Sequence, residues 1–248
     1  MTDAIFDEKS PDAARDRIAP GPAERLPTRR RGKNAEPSWL RTPNHPRHPF
    51  GQLVLQHDHE VLVAMLNRLG IELEGLDILD VGCKNGERLR YLVELGADPH
   101  RLAGIDPSTR RIRAAQRANP AVCWIHDATD EFPFPPNCFD LVLQSMIFSN
   151  IPDEEDRLSL ARRMSRVVRP GGRILWIDRK HDGEDGSKGF SRAKVRDYFP
   201  DGKIVYTRSV RPRYFATLHR RGAWLARSLY RVARLACDAR LVVLEMNP

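Results

Sequence analysis

The chain has 248 residues, of which 41% are hydrophobic and 30% charged, room for one full α/β domain with extensions and too ordered a composition for a largely disordered protein. Its net charge of +8 is concentrated at one end, because Lys188 to Pro248 carries 14 Lys/Arg against 4 Asp/Glu. No apolar run approaches a membrane span, and the acidic start from Met1 to Glu8 lacks the apolar core of a signal peptide. The four cysteines (Cys83, Cys123, Cys138, Cys237) form no C-x-x-C pair, so a cytoplasmic protein without a disulfide framework or zinc is expected. His45/His48 and His57/His59 have no acidic or thiol partner at a suitable spacing, and no metal site is expected.

Residues 1–49 form an arm rich in proline and arginine, with Pro at 11, 20, 22, 27, 37, 43, 46 and 49. Such a segment cannot build a continuous helix or sheet and is expected to be flexible. Residues 50–248 carry the domain. Apolar spacing predicts a helix from Gln52 to Leu69, stopped by Gly70. The run then alternates: strand Asp77–Val81, helix Glu87–Leu95, strand Leu102–Asp106, helix Ser108–Ala118 with Ser108 as N-cap, strand Val122–Ile125. Strand Phe139–Leu143, helix Asp153–Val168 and strand Arg173–Ile177 follow. This alternation implies a parallel sheet with helices on both faces.

Beyond it, Ser191–Tyr198 suits a helix, Ile204–Tyr206 a sixth strand and Leu241–Leu244 a seventh. Between those strands Leu218, Leu225, Leu229, Val232 and Ala236 share one helical face, and Arg220, Arg227, Arg231 and Arg234 share another. This basic helical insertion, residues 212–238, has three readings. It packs on the core, caps a pocket while steering an acidic substrate, or makes peripheral contact with an anionic membrane. A nucleic-acid surface is disfavoured, since no recognition motif accompanies the arginines.

In an open parallel sheet, ligands bind beyond the carboxyl ends of the strands, where strand order reverses. The first strand ends in Asp80-Val81-Gly82-Cys83-Lys84-Asn85-Gly86. Gly82 permits a tight turn, and Gly86 lets a helix start close under a ligand. Asp106 closes the second strand, where a carboxylate can accept from both hydroxyls of a ribose. His126-Asp127-Ala128 closes the third, and Arg169-Pro170-Gly171-Gly172 forms a turn before the fifth.

Ile78-Leu79-Asp80-Val81-Gly82-Cys83, Gly104-Ile105-Asp106-Pro107-Ser108, Phe139-Asp140-Leu141-Val142 and Val168-Arg169-Pro170-Gly171-Gly172 occur in this order. Together they resemble the class I S-adenosylmethionine-dependent methyltransferases, of the ubiquinone-biosynthesis-like group. The resemblance covers a cofactor-binding core at residues 76–178. It implies a Rossmann-like seven-stranded, mostly parallel sheet with the last strand antiparallel, and S-adenosyl-L-methionine as cofactor. It also implies that Asp80, Gly82, Cys83 and Gly86 surround the methionine portion, with Asp106 on the ribose and Pro107 beside the adenine. Asp127 and Ala128 match the adenine edge, and Gln144 and Ser145 face the methionine ammonium and the methyl group. Lys84 departs from the family pattern, which has glycine there. It either lies along the methionine carboxylate or points away from the ligand.

The resemblance makes the chain an enzyme. The expected acceptor is a small or carrier-linked metabolite, an acidic one among the options, methylated at oxygen in a bacterial biosynthetic pathway. The alternative is a non-catalytic module of this fold that recruits an acidic partner through the basic helix. His57, His59 and His181 are the candidates for a catalytic base, with Asp178 near the last of them, and the sequence does not choose among them.

Overall fold

The computed structural model describes residues 49–126, 132–182, 186–212 and 237–247. In chain order the elements are α1 (Pro49–Leu69), β1 (Ile78–Val81), α2 (Glu87–Glu94), β2 (Leu102–Asp106), α3 (Thr109–Ala118), β3 (Cys123–His126) and β4 (Phe139–Ser145). Then come α4 (Glu154–Val167), β5 (Val168–Arg179), α5 (Arg192–Tyr198), β6 (Gly202–Pro212) and β7 (Cys237–Met246). One seven-stranded sheet has the order β3-β2-β1-β4-β5-β7-β6. Strands β1 to β5 pair in parallel, and β7 runs antiparallel to both β5 and β6. The order reverses between β1 and β4, which places a crevice at the carboxyl ends of those two strands.

Both faces of the sheet are covered, so the central strands are apolar on both sides and read as continuous runs. Leu79, Val81, Val142 and Ile174 pack with α4 and α5 on one face. Ile78, Leu141, Leu143 and Leu175 pack with α1, α2 and α3 on the other. Helix starts follow local chemistry. Ser108 caps α3 by accepting from the Arg111 N–H, and Asp153 caps α4 by accepting from Glu155 and Asp156. Three acids in the first turn of α4 complement its dipole.

At the amino end of the sheet, the buried Asp77 carboxylate binds Arg101 at 2.8 Å and Arg169 at 2.9 Å, and Arg169 also binds Asp140 at 2.6 Å. Asp140 in turn accepts from the Asp77 backbone N–H at 2.8 Å. This clamp joins the starts of β1, β4 and β5 at the end opposite the crevice.

The architecture is the one the alternation implied, with different strand limits. β5 starts at Val168, which pairs with Phe139, and a register shift then carries Arg169–Gly172 before Arg173 pairs with Leu141. The expected turn therefore lies inside the strand's range. β6 and β7 pair out to Pro212 and Cys237, so their ladder extends beyond the short apolar cores seen in the sequence. The expected helical face at 213–236, the arm at 1–48, and Asp127 and Ala128 lie outside the described residues.

Candidate active site

The loop after β1 is fastened to β2 by its backbone. Cys83 N–H donates to the Ile105 carbonyl at 2.9 Å, and Lys84 N–H donates to Asp106 Oδ2 at 3.1 Å. Gly86 N–H closes the turn on the Cys83 carbonyl at 2.9 Å. Gly82, Lys84 and Gly86 have φ of 65°, 55° and 74°, so a lysine occupies a left-handed position that costs a glycine nothing. Lys84 thus holds a conformation that glycine adopts freely.

Gly86 caps α2 through its backbone, but its missing Cβ faces away from the crevice. A Cβ there would lie 2.2 Å from the Trp124 indole, and one on Gly104 would lie 2.6 Å from the same ring. Trp124 on β3 thus fills the space left by two glycines and supports the loop from below. Its indole N–H donates to the Asn119 carbonyl at 2.7 Å.

Asp106 ends β2 with its side chain 3% exposed. Oδ1 accepts from Ser108 N–H at 2.9 Å, Oδ2 accepts from Lys84, and the Arg111 guanidinium stands 3.6 Å away. This carboxylate lines a cavity of about 650 Å³ together with Ile105, Pro107, Arg111, Phe132 and Ile147. The volume is that of a small-molecule site. Apolar walls beside a fixed carboxylate suit a nucleoside. His126 Nε2 contacts the Pro107 carbonyl at 3.0 Å and so braces the far wall from outside.

The end of β4 closes the crevice. Ser145 lines the cavity, whereas Gln144 is fully buried and serves the backbone: its Nε2 donates to the Ile177 carbonyl and its Oε1 accepts from Ile147 N–H, both at 3.3 Å. Met146 follows with φ of 58°. Among the described residues, two of the three non-glycine residues with positive φ, Lys84 and Met146, line this one cavity, a concentration of strain typical of ligand sites. Ile147 lies over Gly82, where a Cβ would be 2.5 Å from its Cδ1.

Gly82, Lys84 and Ser145 also line a second, smaller cavity of about 110 Å³, which reaches under α1. Its walls include His59, Leu62, Asp80, Arg88, Leu175 and Leu241. Asp80 is 1% exposed and accepts from Arg88 at 2.7 Å. Burial raises its pKa, and the charges of Arg88 and Lys84 act against that rise. Burial likewise raises the Cys83 thiol far above the ordinary range, so this sulfur is a neutral packing group.

Among the expected site residues, Gly82, Lys84 and Ser145 meet at the junction of the two cavities, Asp106 and Pro107 line the larger, and Asp80 and Cys83 line the smaller. Gly86 and Gln144 line neither and act on the frame. Of the candidate bases, His57 is buried without reaching either cavity, and His181 is exposed with its backbone against Gly189. Asp178 is fully buried, its carboxylate accepting from Ser149 and Arg179 N–H groups, with burial raising its pKa. Only His59 lies in the crevice. Arg111, Phe132, Ile147 and Tyr91 were missed from sequence. For Arg111 the signal was available, since it sits one helical turn after the N-cap next to Asp106.

The comparisons agree with this geometry. The family described as "Methyltransferase domain" matches residues 78–172. The demethylmenaquinone methyltransferase of Bacillus licheniformis is 30% identical over 108 residues, 42% of this chain and 45% of that enzyme. That of Listeria welshimeri is 29% identical over 161 residues, 62% and 63% of the two chains. The chain thus spans less than two thirds of either relative. A solved S-adenosylmethionine-dependent methyltransferase from Mesorhizobium loti superposes with a TM-score of 0.57 over 77% of this chain and 99% of that one, at 20% identity. The reversal of strand order at β1/β4, the braced Asp106 and these likenesses lead to one conclusion: residues 78–172 match a methyltransferase domain, on a fold shared with solved S-adenosylmethionine-dependent methyltransferases.

Proposed function

We propose that the protein transfers the methyl group of S-adenosylmethionine to an oxygen of a small or carrier-linked metabolite in a biosynthetic pathway. The observation that carries this reading is Asp106, a buried carboxylate held by two backbone N–H groups at the wall of a cavity of about 650 Å³. Its position at the end of β2 suits the two ribose hydroxyls, with Pro107, Phe132 and Ile147 as apolar walls for a purine.

The cofactor supplies a sulfonium-bound methyl group, already electrophilic, so the chain's task is positioning. Gly82 and Ser145 form the seam where the two cavities meet, and Asp80 presents a carboxylate on the side suited to the methionine ammonium.

Calorimetric titration with S-adenosylmethionine and S-adenosylhomocysteine tests the reading. Both should bind, and Asp106→Ala should abolish binding of both. Unchanged affinity in that variant would remove the ribose assignment.

A further inference from the structure

We propose that Asp178 is a positioning residue for the cofactor: through the Ser149 N–H it holds the turn after β4 in the shape that walls the larger cavity. This rests on the methyltransferase reading above and deepens it.

Residues 145–151 supply one wall of that cavity, through Ser145, Met146, Ile147, Asn150 and Ile151. The turn they make is strained. Met146 has φ of 58°, and such a conformation persists only where its surroundings over-determine it. Three side chains do so here. Gln144 Oε1 accepts from Ile147 N–H and Asp178 Oδ2 accepts from Ser149 N–H, both at 3.3 Å, while Asn150 Nδ2 donates to the Met146 carbonyl. The backbone adds two ties, Met146 N–H to the Ile177 carbonyl at 2.8 Å and Lys188 N–H to the Ser149 carbonyl at 3.1 Å.

Of the three side chains, Asp178 alone is a carboxylate. It is fully buried, it makes no ion pair among the described residues, and its Oδ1 accepts from Arg179 N–H at 2.9 Å. A buried carboxylate without a counter-ion costs solvation that an apolar residue in its place would not. What it gives is geometry. A charged acceptor binds N–H groups more strongly than a neutral one, and this one stands between the end of β5 and the short helical turn Phe148–Asn150.

Because β5 pairs with β4 up to Ile177 and Ser145, the carboxylate fixes the turn relative to the sheet. The position matters at Ile147, which abuts the loop after β1: a Cβ on Gly82 would lie 2.5 Å from its Cδ1. With the Ser149 tether slack, the wall takes other shapes, and the cofactor binds only the fraction of molecules in which it is correctly formed.

The test uses the full chain, calorimetric titration with S-adenosylhomocysteine and thermal melts. Asp178→Asn keeps the side-chain shape but presents an NH₂ where one of two N–H groups needs an acceptor. Affinity should fall roughly ten- to a hundredfold. Arg169→Ala loosens the far end of the sheet and should lower the melting temperature with affinity within about threefold of wild type, which separates positioning from stability. Ile147→Ala removes the side chain through which the turn acts, so adding Asp178→Asn to it should weaken binding by less than about threefold more. In the wild type, amide hydrogen exchange over residues 146–151 should slow on binding S-adenosylhomocysteine, a readout that requires no variant to fold. An Asp178→Asn variant that melts lower yet binds normally overturns the proposal. So does additivity with Ile147→Ala, exchange over 146–151 indifferent to the ligand, or an Arg169→Ala variant that loses as much affinity as Asp178→Asn. A wild type that binds neither cofactor form overturns the underlying methyltransferase reading and the positioning role with it.

Discussion

Lys84 holds a backbone conformation that costs an L-residue about 1–2 kcal/mol, in a loop whose neighbours Gly82 and Gly86 share it without strain. Lys84→Gly should relieve that strain, less the extra freedom glycine gives the unfolded chain, for a net gain of about 0.5–1 kcal/mol in guanidinium denaturation. A loss of stability would mean that attraction between the lysine ammonium and Asp80 outweighs the strain. Cofactor affinity of the same variant distinguishes the two readings of the side chain: a fall of tenfold or more places the ammonium on the methionine carboxylate. His59 makes a second prediction, for pH. Because its folded pKa is lowered, the unfolded chain binds its proton more readily below about 6.5. Stability should therefore fall as the pH drops from about 6.5 through the folded value, and His59→Phe should flatten that limb of a denaturation-midpoint profile.

Among the elements, the clamp at the amino end of the sheet explains a motif that the sequence presented as a turn. Arg169 precedes Pro170-Gly171-Gly172, and its guanidinium spans Asp77 and Asp140. Arg169→Ala leaves the buried Asp77 with Arg101 alone. Because Arg169 is about one third exposed, a cost of about 2 kcal/mol is expected, below the 3–5 seen for fully buried pairs. Cofactor affinity should not change, since the clamp lies at the far end of the strands. A shift in affinity would show that the two ends are coupled. The clamp was not legible because its partners stand 92 residues apart. What was legible has a local cause. Leu102–Asp106 is a short apolar run between turn signals and is β2 residue for residue, and Ser108 caps α3 as its hydroxyl and position suggest. The pairing of Val168 with Phe139 ahead of the glycine turn depends on register, which no local pattern encodes.

For the molecule as a whole, the same division holds between the two halves of the site. The larger cavity is built from strand ends and the loops directly after them, so motifs at β1 and β2 pointed to Gly82 and Asp106. The smaller cavity draws His59, Ile177 and Leu241 from α1, β5 and β7, and Tyr91 of α2 stacks on His59; these residues meet only when the sheet closes. Among His57, His59, His181 and Asp178, His59 alone borders one of the two cavities for that reason. Gln144 shows the converse, a polar residue beside the site whose amide is committed to the Ile177 carbonyl and the Ile147 N–H. Ligand binding to the crevice ties these elements together and should stabilise the entire fold. At a hundredfold excess over Kd the gain is about 2.7 kcal/mol, or roughly 5–10 °C in a thermal melt with S-adenosylhomocysteine. Asp106→Ala should melt at a temperature indifferent to the ligand.

Trp124 carries an evolutionary consequence. Gly104 is held to glycine by the volume of the Trp124 indole, and Gly86 by that indole together with its own φ of 74°, so the three positions are coupled. Alanine at 104 is blocked while tryptophan stands at 124; with a smaller residue there, the Cys83 Cβ, 3.0 Å from the added methyl, still has to give by a few tenths of an ångström. Descendants of this sequence can therefore lose that glycine without losing the cofactor, provided position 124 has shrunk first. The order of the two substitutions is fixed, and a double-mutant cycle between 104 and 124 should show strong positive coupling.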